Sequence, residues 1–299
     1  GWLKMRPMSL WESEESSGDV SLKSLFDDSD IAGIAKVDFE GVAFAACRGG
    51  WPLAVGMDKD IALDQAFDYL DAVEQRDIQM ADGVMRNPSR VHRLLRSYAR
   101  HQGAQANYGT IGADLKANEG DSIDNDTIAS YINALKRIFV VEDVAAWNPN
   151  LRSKTAIRTS DTRYFTDPSI ATAALGMGPS DLVYDLETFG LVFETLCIRD
   201  LRVYAEALQG NVYHYRDKNG LECDAVVHLR NGSYGLIEIK LGGDKQIAEG
   251  VKTLTMLSDK IDTTRMKKPS FLMVLTANGP YAYRREDGVY VVPIGCLKP

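Results

Sequence analysis

Residues 220–243 contain the feature that most restricts the fold of this 299-residue chain. Two strand-forming runs flank the turn sequence Arg230-Asn231-Gly232, which predicts a β-hairpin. Asp224 lies in the first predicted strand, and Glu238 and Lys240 lie at the end of the second. Residues two apart share a strand face, so Glu238 and Lys240 project to the same side. Two carboxylates on adjacent strands can hold a divalent metal, and a nearby lysine can orient water or stabilise negative charge on a phosphate. This chemistry is what metal-assisted phosphodiester cleavage needs.

The register of the hairpin decides whether the two carboxylates meet. Asp224 stands beside Glu238 only if the numbers of paired residues add to 462. That register requires a loop with an odd number of residues, such as Arg230-Asn231-Gly232 with Gly232 in the left-handed conformation. A two-residue Asn-Gly turn would instead place the two carboxylates on opposite faces. The three-residue loop is therefore a condition of the metal-site hypothesis.

Glu194 is a third acidic candidate. It lies in GLVFETLCI, residues 190–198, an otherwise apolar run at helical spacing. A carboxylate in such a position is costly unless it is paired, hydrogen-bonded or bound to a metal.

An alternative to the metal site in the hairpin stays open. Glu238 and Lys240 could form an ordinary ion pair on one strand face, which contributes little free energy.

The composition is that of an ordinary globular protein, with 45% apolar and 25% charged residues. No apolar run approaches the roughly 20 residues of a membrane span, and no signal peptide is visible, so we expect no membrane association. The four cysteines are scattered, which favours core positions in a reducing cytosol over a disulfide or zinc framework. We therefore expect a cytoplasmic protein.

Charge is unevenly distributed along the chain. The net charge is −8, yet residues 86–163 carry four more basic than acidic side chains. The acidic total argues against strong non-specific DNA binding by the whole chain, whereas the basic middle keeps DNA as a possible partner. Five arginines between residues 86 and 100 could contact phosphates, but a solvated helix face is the favoured interpretation.

Periodicity and capping residues predict the following elements. Helices are expected at 31–47 (at least in its part from 38 to 47), 59–81, 87–100, 110–116, 125–137, 183–208 and 245–260, and strands at 138–147, 163–166, 211–216, 222–229, 234–240, 270–276, 281–284 and 289–293. Three helices followed by a short β-ribbon predict a winged helix, with residues 148–162 as its wing or a following loop. The order of elements from residue 180 predicts a mixed sheet with helices on both faces, and thus an α/β fold.

Three segments of the sequence resemble a known family. FGLVFETLCIRDL, YHYRDKNGLECDAVV and LIEIKLGG resemble the domain of unknown function that follows the ATPase module in bacterial and archaeal AAA-type, STAND-like ATP-binding proteins. That domain is similar to restriction endonucleases of the PD-(D/E)xK type. The resemblance extends upstream through RPMSLWES and RGGWP, which are similar to segments near the end of the ATPase module.

The resemblance implies three segments and a set of roles. Residues 1–85 would be the end of an ATPase module, 86–166 a winged-helix domain and 167–299 a nuclease-like domain. Asp224, Glu238 and Glu194 match the acidic residues of the superfamily and would bind Mg²⁺ or Mn²⁺, with Lys240 as the catalytic lysine. Gln246 takes the place of a supporting glutamine. Many relatives keep such a fold for DNA binding or structure alone.

No G-x-x-x-x-G-K-[ST] phosphate loop occurs in the sequence. We expect ATP to bind only through an N-terminal ATPase module outside this chain, which by itself should not hydrolyse ATP. Three hypotheses follow. The chain is a DNA-associated metal-dependent nuclease-like effector, a catalytically silent regulatory or protein-interaction module, or a part of an ATPase whose activity lies in the absent module.

Overall fold

The computed structural model describes residues 4–152 and 157–299, and these form two compact units. Within these residues, the first unit comprises 4–7, 43–143 and 162–196, and the second comprises 8–42, 144–152, 157–161 and 197–299. Each of the three segments inferred from the sequence contributes residues to both units. The division into three segments at 85 and 166 stays a prediction.

Eleven α-helices occur in the described residues. In chain order they are α1 Leu22–Phe26, α2 Phe39–Arg48, α3 Lys59–Ala72, α4 Ile78–Met80, α5 Pro88–Arg100, α6 Tyr108–Asn118, α7 Asn125–Arg137, α8 Pro168–Leu175, α9 Pro179–Tyr184, α10 Leu186–Ala207 and α11 Asp244–Lys260. A π-helical turn, Val73–Asp77, joins α3 to α4, and a 3₁₀ turn spans Ile294–Cys296.

Nine strands complete the described secondary structure. They are β1 Val20–Ser21, β2 Gly33–Ile34, β3 Gly210–Arg216, β4 Glu222–Leu229, β5 Tyr234–Lys240, β6 Phe271–Thr276, β7 Tyr281–Arg284, β8 Tyr290–Pro293 and β9 Leu297–Lys298. The predicted α/β class is confirmed.

The first unit is helical, and capping side chains set several of its helix boundaries. Asn87 accepts a hydrogen bond from the Arg90 backbone amide, and Pro88 occupies the first turn, so α5 begins where the sequence predicts. Asp124 caps α7 in the same way through Thr127. Apolar residues of α5, α6, α7 and α8 form one core.

The predicted β-ribbon of the winged helix does not form as two strands. Residues 138–147 and 163–166 make only a single isolated antiparallel bridge, Val141 to Phe165. Phe139 adopts a left-handed conformation, with φ of 58°, which ends any regular strand at that point. Farther on, Ala146 bridges to His214 of β3 instead, so the two halves of the predicted strand have different partners. The predicted wing at 148–162 includes residues 153–156, which lie outside the described residues.

The arginines before and within α5 are engaged by carboxylates of the first unit. Their charges are therefore partly neutralised within the chain, which supports the favoured interpretation of this face. The pairs are Arg86 with Asp82, Arg90 and Arg93 with Asp121, Arg96 with Glu119, and Arg100 with Asp114 and Glu119.

The second unit contains a seven-stranded mixed sheet in the order β2-β7-β8-β6-β5-β4-β3. Strands β5, β6 and β8 are mutually parallel, whereas β3 and β4 run antiparallel at one side and β7 and β2 at the other. Helix α11 connects the parallel strands β5 and β6, as such a crossover requires. The strand pair β1–β9 forms separately.

Helix α11 lies very close to the sheet at Gly250. A Cβ atom at this position would lie 3.2 Å from Val274 Cγ2 and 3.3 Å from Glu238 Cβ. The face of the sheet that carries Leu236, Glu238 and Val274 is therefore the face covered by α11, and Leu254 and Leu257 extend the same core.

None of the helices in residues 4–152 and 157–299 combines the length and the apolar character needed to cross a bilayer. The four cysteines are all buried, and none of them forms a disulfide bond within the described residues, as the sequence predicts.

One buried histidine, His214, and one partly buried histidine, His228, make the second unit sensitive to acid. Burial lowers the pKa of both His214 and His228 from the usual 6.5. As pH falls below about 7, the unfolded chain takes up protons before the folded chain does, so the free energy of unfolding should decrease between pH 7 and pH 5. We expect His228→Phe to weaken this decrease, since Trp147, Tyr213 and Tyr234 already surround the ring with aromatic groups.

Urea unfolding at pH 7.5 and pH 5.0 measures the effect. Tyr213→Phe keeps the imidazole and serves as the control, with the pH dependence of the wild type. An unchanged pH dependence in His228→Phe would contradict the assignment.

Candidate functional site

The β4–β5 hairpin has the register on which the site depends. Ala225 pairs with Ile237, and the residue numbers of every described pair in this ladder add to 462. The Leu229 amide donates to the Ser233 carbonyl at 2.8 Å, which closes a three-residue loop. Gly232 has φ of 81°, the left-handed conformation predicted for it. Both the register and the turn are confirmed.

Asp224, Glu238 and Lys240 lie together at the end of this ladder. The Lys240 ammonium is 2.7 Å from Glu238 Oε2 and 3.3 Å from Asp224 Oδ2. The backbone amide of Ile239 donates to Asp224 Oδ2 at 2.7 Å. One ammonium group therefore stands between two carboxylates on one face of the sheet.

Burial makes this arrangement electrostatically strong. Glu238 is only 4% exposed, and the side chain of Lys240 is 25% exposed. Burial by itself would lower the pKa of Lys240, but the charges and hydrogen bonds of Asp224 and Glu238 outweigh it and hold that pKa well above its usual value. The ammonium group therefore remains charged throughout the physiological range.

The constellation sits at the carboxyl ends of two parallel strands. Lys240 ends β5 and is in register with Thr276, which ends β6. In open α/β sheets, ligands bind at this edge. Thr276 is 1% exposed, and its hydroxyl oxygen has no hydrogen-bond partner among the described residues.

A glycine-containing loop connects β5 to α11 beside these residues. The Asn278 amide donates to the Leu241 carbonyl at 2.9 Å, which ties this loop to the one after β6. Gly242 has φ of 125°, and a Cβ atom there would lie 2.9 Å from the Asn278 carbonyl oxygen, so only glycine fits. Gln246 accepts a hydrogen bond from the Gly242 amide at 3.2 Å, which gives this residue a structural role.

Glu194 belongs to the first unit, on α10. The Tyr164 hydroxyl donates a hydrogen bond to its Oε1, and Gly103 approaches the carboxylate so closely that a Cβ atom there would lie 3.1 Å from Oε2. This hydrogen bond offsets part of the cost of placing the Glu194 carboxylate among apolar residues. The role of Glu194 as a metal ligand stays a prediction.

The chemistry of the donor set fits a hard divalent cation. Carboxylate oxygens are the ligands that Mg²⁺ and Mn²⁺ prefer, and Mg²⁺ is commonly held by one or two carboxylates together with substrate phosphates. Within residues 4–152 and 157–299, no three His, Cys, Asp or Glu side chains are grouped so that they could hold a metal by themselves. Two carboxylates would thus need oxygens from water or substrate.

Two features of the site escaped the sequence analysis. Thr276 closes the apolar strand SFLMVLT, and nothing in its sequence context distinguishes it from an ordinary strand threonine. The second feature is the Gly242-Gly243 pair, which lies between β5 and α11. A glycine pair directly between a buried strand and a helix is nevertheless a signal for close backbone approach.

Comparisons with known proteins give two domain matches. Residues 40–181 match a domain of unknown function, DUF8612, and residues 189–297 match another, DUF4143. DUF4143 is often found in the C-terminal part of AAA-ATPase-like proteins. No curated protein and no solved structure matches the chain.

The hairpin turn yields a test of its geometry. A Cβ atom at Gly232 would meet no atom within 4 Å, so any effect of substitution there comes from the backbone conformation. We expect Gly232→Ala to lower the free energy of unfolding by about 1–2 kcal/mol, because a left-handed conformation is strained for alanine. Gly232→Asn is the matched control and should lose less, since asparagine tolerates this conformation. Equal losses in chemical denaturation would argue against the left-handed turn.

Removal of the ammonium group tests the electrostatic interpretation. Lys240→Met leaves two carboxylates facing each other, and we expect the free energy of unfolding to fall by about 3 kcal/mol, as when one partner of a buried ion pair is lost. Glu238→Gln added to that variant should restore part of the loss. Lys245→Met, at an exposed position of α11, should change little. Additive losses in the double variant would show that the two side chains do not interact.

Proposed function

We propose that Asp224, Glu238 and Lys240 form a divalent-metal-dependent phosphodiesterase site of the nuclease type, acting on DNA. One observation carries the proposal. The register of the hairpin brings two carboxylates within 3.3 Å of one charged lysine, at the ligand-binding edge of the parallel strands.

Each side chain has a distinct role in this proposal. Asp224 and Glu238 would hold Mg²⁺ or Mn²⁺, and oxygens of water or of the substrate would complete the coordination. The bound metal would polarise the phosphate and lower the pKa of a water molecule. Lys240, whose pKa is raised by its carboxylate neighbours, stays protonated and can orient water or stabilise negative charge on the phosphate. The Ile239 amide fixes Asp224 and so keeps one carboxylate oriented.

A specific observation also favours a second function, that of a catalytically silent regulatory or protein-interaction module. The Lys240 ammonium contacts both carboxylates, so the chain itself satisfies the charges that would otherwise attract a metal. In this case the same residues stabilise the sheet, and the unit contributes a binding surface.

The match to DUF4143 supports an association with an ATPase. We infer that an N-terminal ATPase module or another protein is a partner of this chain, and that any ATP is bound there. The four cysteines are buried and form no disulfide within the described residues, which favours a reducing compartment such as the cytoplasm.

Calorimetric titration with Mn²⁺, together with a DNA cleavage assay in Mg²⁺, separates the two functions. We expect the wild type to bind Mn²⁺, and Asp224→Asn and Glu238→Gln to weaken binding at least tenfold. The same variants and Lys240→Met should reduce cleavage at least a hundredfold. Asp262→Asn, a carboxylate in the loop after α11, is the control and should keep both properties.

The alternative gives the opposite pattern. A silent module would bind no Mn²⁺ and cleave no DNA, while Lys240→Met would still lose stability. Cleavage that persists in Asp224→Asn and Glu238→Gln would contradict the assignment of the site.

A further inference from the structure

The geometry points to a phosphate-binding subsite formed by the Thr276 hydroxyl, the Lys240 ammonium and the first turn of α11. It would bind a phosphodiester phosphate of a nucleic acid. The inference rests on the proposed phosphodiester substrate and names the groups that recognise it.

Thr276 is the starting point because its hydroxyl lacks a partner. The side chain is 1% exposed and its Oγ1 forms no hydrogen bond among the described residues. Its strand neighbours do not supply one, because the Lys240 ammonium contacts Glu238 and Asp224 and Pro293 has no polar side chain. A buried polar group without a partner costs about 1–3 kcal/mol, which a ligand oxygen would offset.

Register and helix geometry place this hydroxyl beside the start of α11. Thr276 shares a face with Val274, which lies against Gly250. The step from Val274 to Thr276 advances about 6.6 Å along β6, and the step from Gly250 back to Gln246 covers about 6 Å along α11. Because α11 runs back along the strands, Thr276 lies level with its first turn.

The first turn of α11 offers free backbone donors. Gly243 precedes the helix with φ of 85°, and no side chain in the described residues caps this N-terminus. The first amides of an α-helix have no acceptor within the helix, and the helix dipole favours an anion there. The orphaned hydroxyl of Thr276 is a second, independent indication of a ligand at the same place.

Gly279 lies next to the hydroxyl in the loop after β6, where a Cβ atom would make an ordinary van der Waals contact with Thr276 Oγ1 at 3.6 Å. The opposing charge is Asp244 in the first turn of α11. An Asp244→Asn substitution should therefore tighten phosphate binding, which a purely structural role of Thr276 does not explain.

Metal-free binding measurements test the subsite. In EDTA, wild type, Thr276→Val, Thr276→Ser and Asp244→Asn are titrated with inorganic phosphate and with a single-stranded dT oligonucleotide. We expect Thr276→Val to bind the oligonucleotide about tenfold more weakly, Thr276→Ser to bind as wild type, and Asp244→Asn to bind several-fold more tightly. Thr255→Val is the matched control, since that hydroxyl already donates to the Val251 carbonyl, and its binding should be unchanged.

The outcomes are distinguishable from those of the proposed function. Binding that depends on Thr276 in a protein without metal-dependent cleavage would support the subsite and overturn the nuclease proposal. Cleavage with equal affinity in wild type and Thr276→Val would overturn the subsite alone. Binding of inorganic phosphate without the oligonucleotide would overturn the nucleic-acid substrate, and absence of binding to either probe would overturn the inference.

Discussion

The double pairing of β5 is the constraint on which the second unit depends. This strand is hydrogen-bonded to β4 on one side and to β6 on the other, and six of its seven residues are buried. Its antiparallel edge brings Asp224 to Glu238, and its parallel edge brings Thr276 to Lys240. A shift of one residue along either edge would send one member of the constellation to the opposite face. The chemistry of this sheet end is thus a direct result of strand register.

The sequence determines the local parts of this architecture well. The Arg230-Asn231-Gly232 sequence predicts a hairpin with a two-residue or a three-residue turn, and each turn predicts one register, because both depend on a few neighbouring residues. Caps such as Asn87 and Asp124 likewise mark helix starts to the residue. Strand partners that are far apart in the chain could not be predicted. Examples are β2, which pairs with β7, and Ala146, which bridges to His214 rather than continuing the ribbon begun at Val141.

The candidate site could likewise be predicted only where it depends on residues that are close together in the chain. The three charged residues of the hairpin follow from alternation along two adjacent strands. The hydroxyl of Thr276 could not be identified in this way, since its absence of a hydrogen-bond partner among the described residues is visible only in the three-dimensional structure. Periodicity identifies apolar faces and charged spacings, but it carries no information about an unsatisfied hydrogen bond.

The ion pairs of Lys240 have two consistent interpretations, and both follow from the same electrostatics. An ammonium group between two carboxylates stabilises them in a folded chain, and it also keeps them close enough to share a cation. The difference lies in whether a divalent ion can displace the lysine from one carboxylate. The ammonium group and a divalent ion would bind the same carboxylate oxygens, so the two functions exclude each other at this site.

Strand β5 is joined to β4 by a short turn but to β6 through α11. Its two pairings should therefore form at different times during folding. Asp224 and Glu238 are joined by a short hairpin, whose closure takes microseconds in isolated peptides. Lys240 and Thr276 meet only after a helix of 17 residues has formed and docked through Gly250. Long-range parallel pairing is the slower event, since its loop-closure entropy is lost before any contact forms. The β4–β5 pairing, which carries Asp224, Glu238 and Lys240, should therefore form first. The β5–β6 pairing, which adds Thr276, should form last.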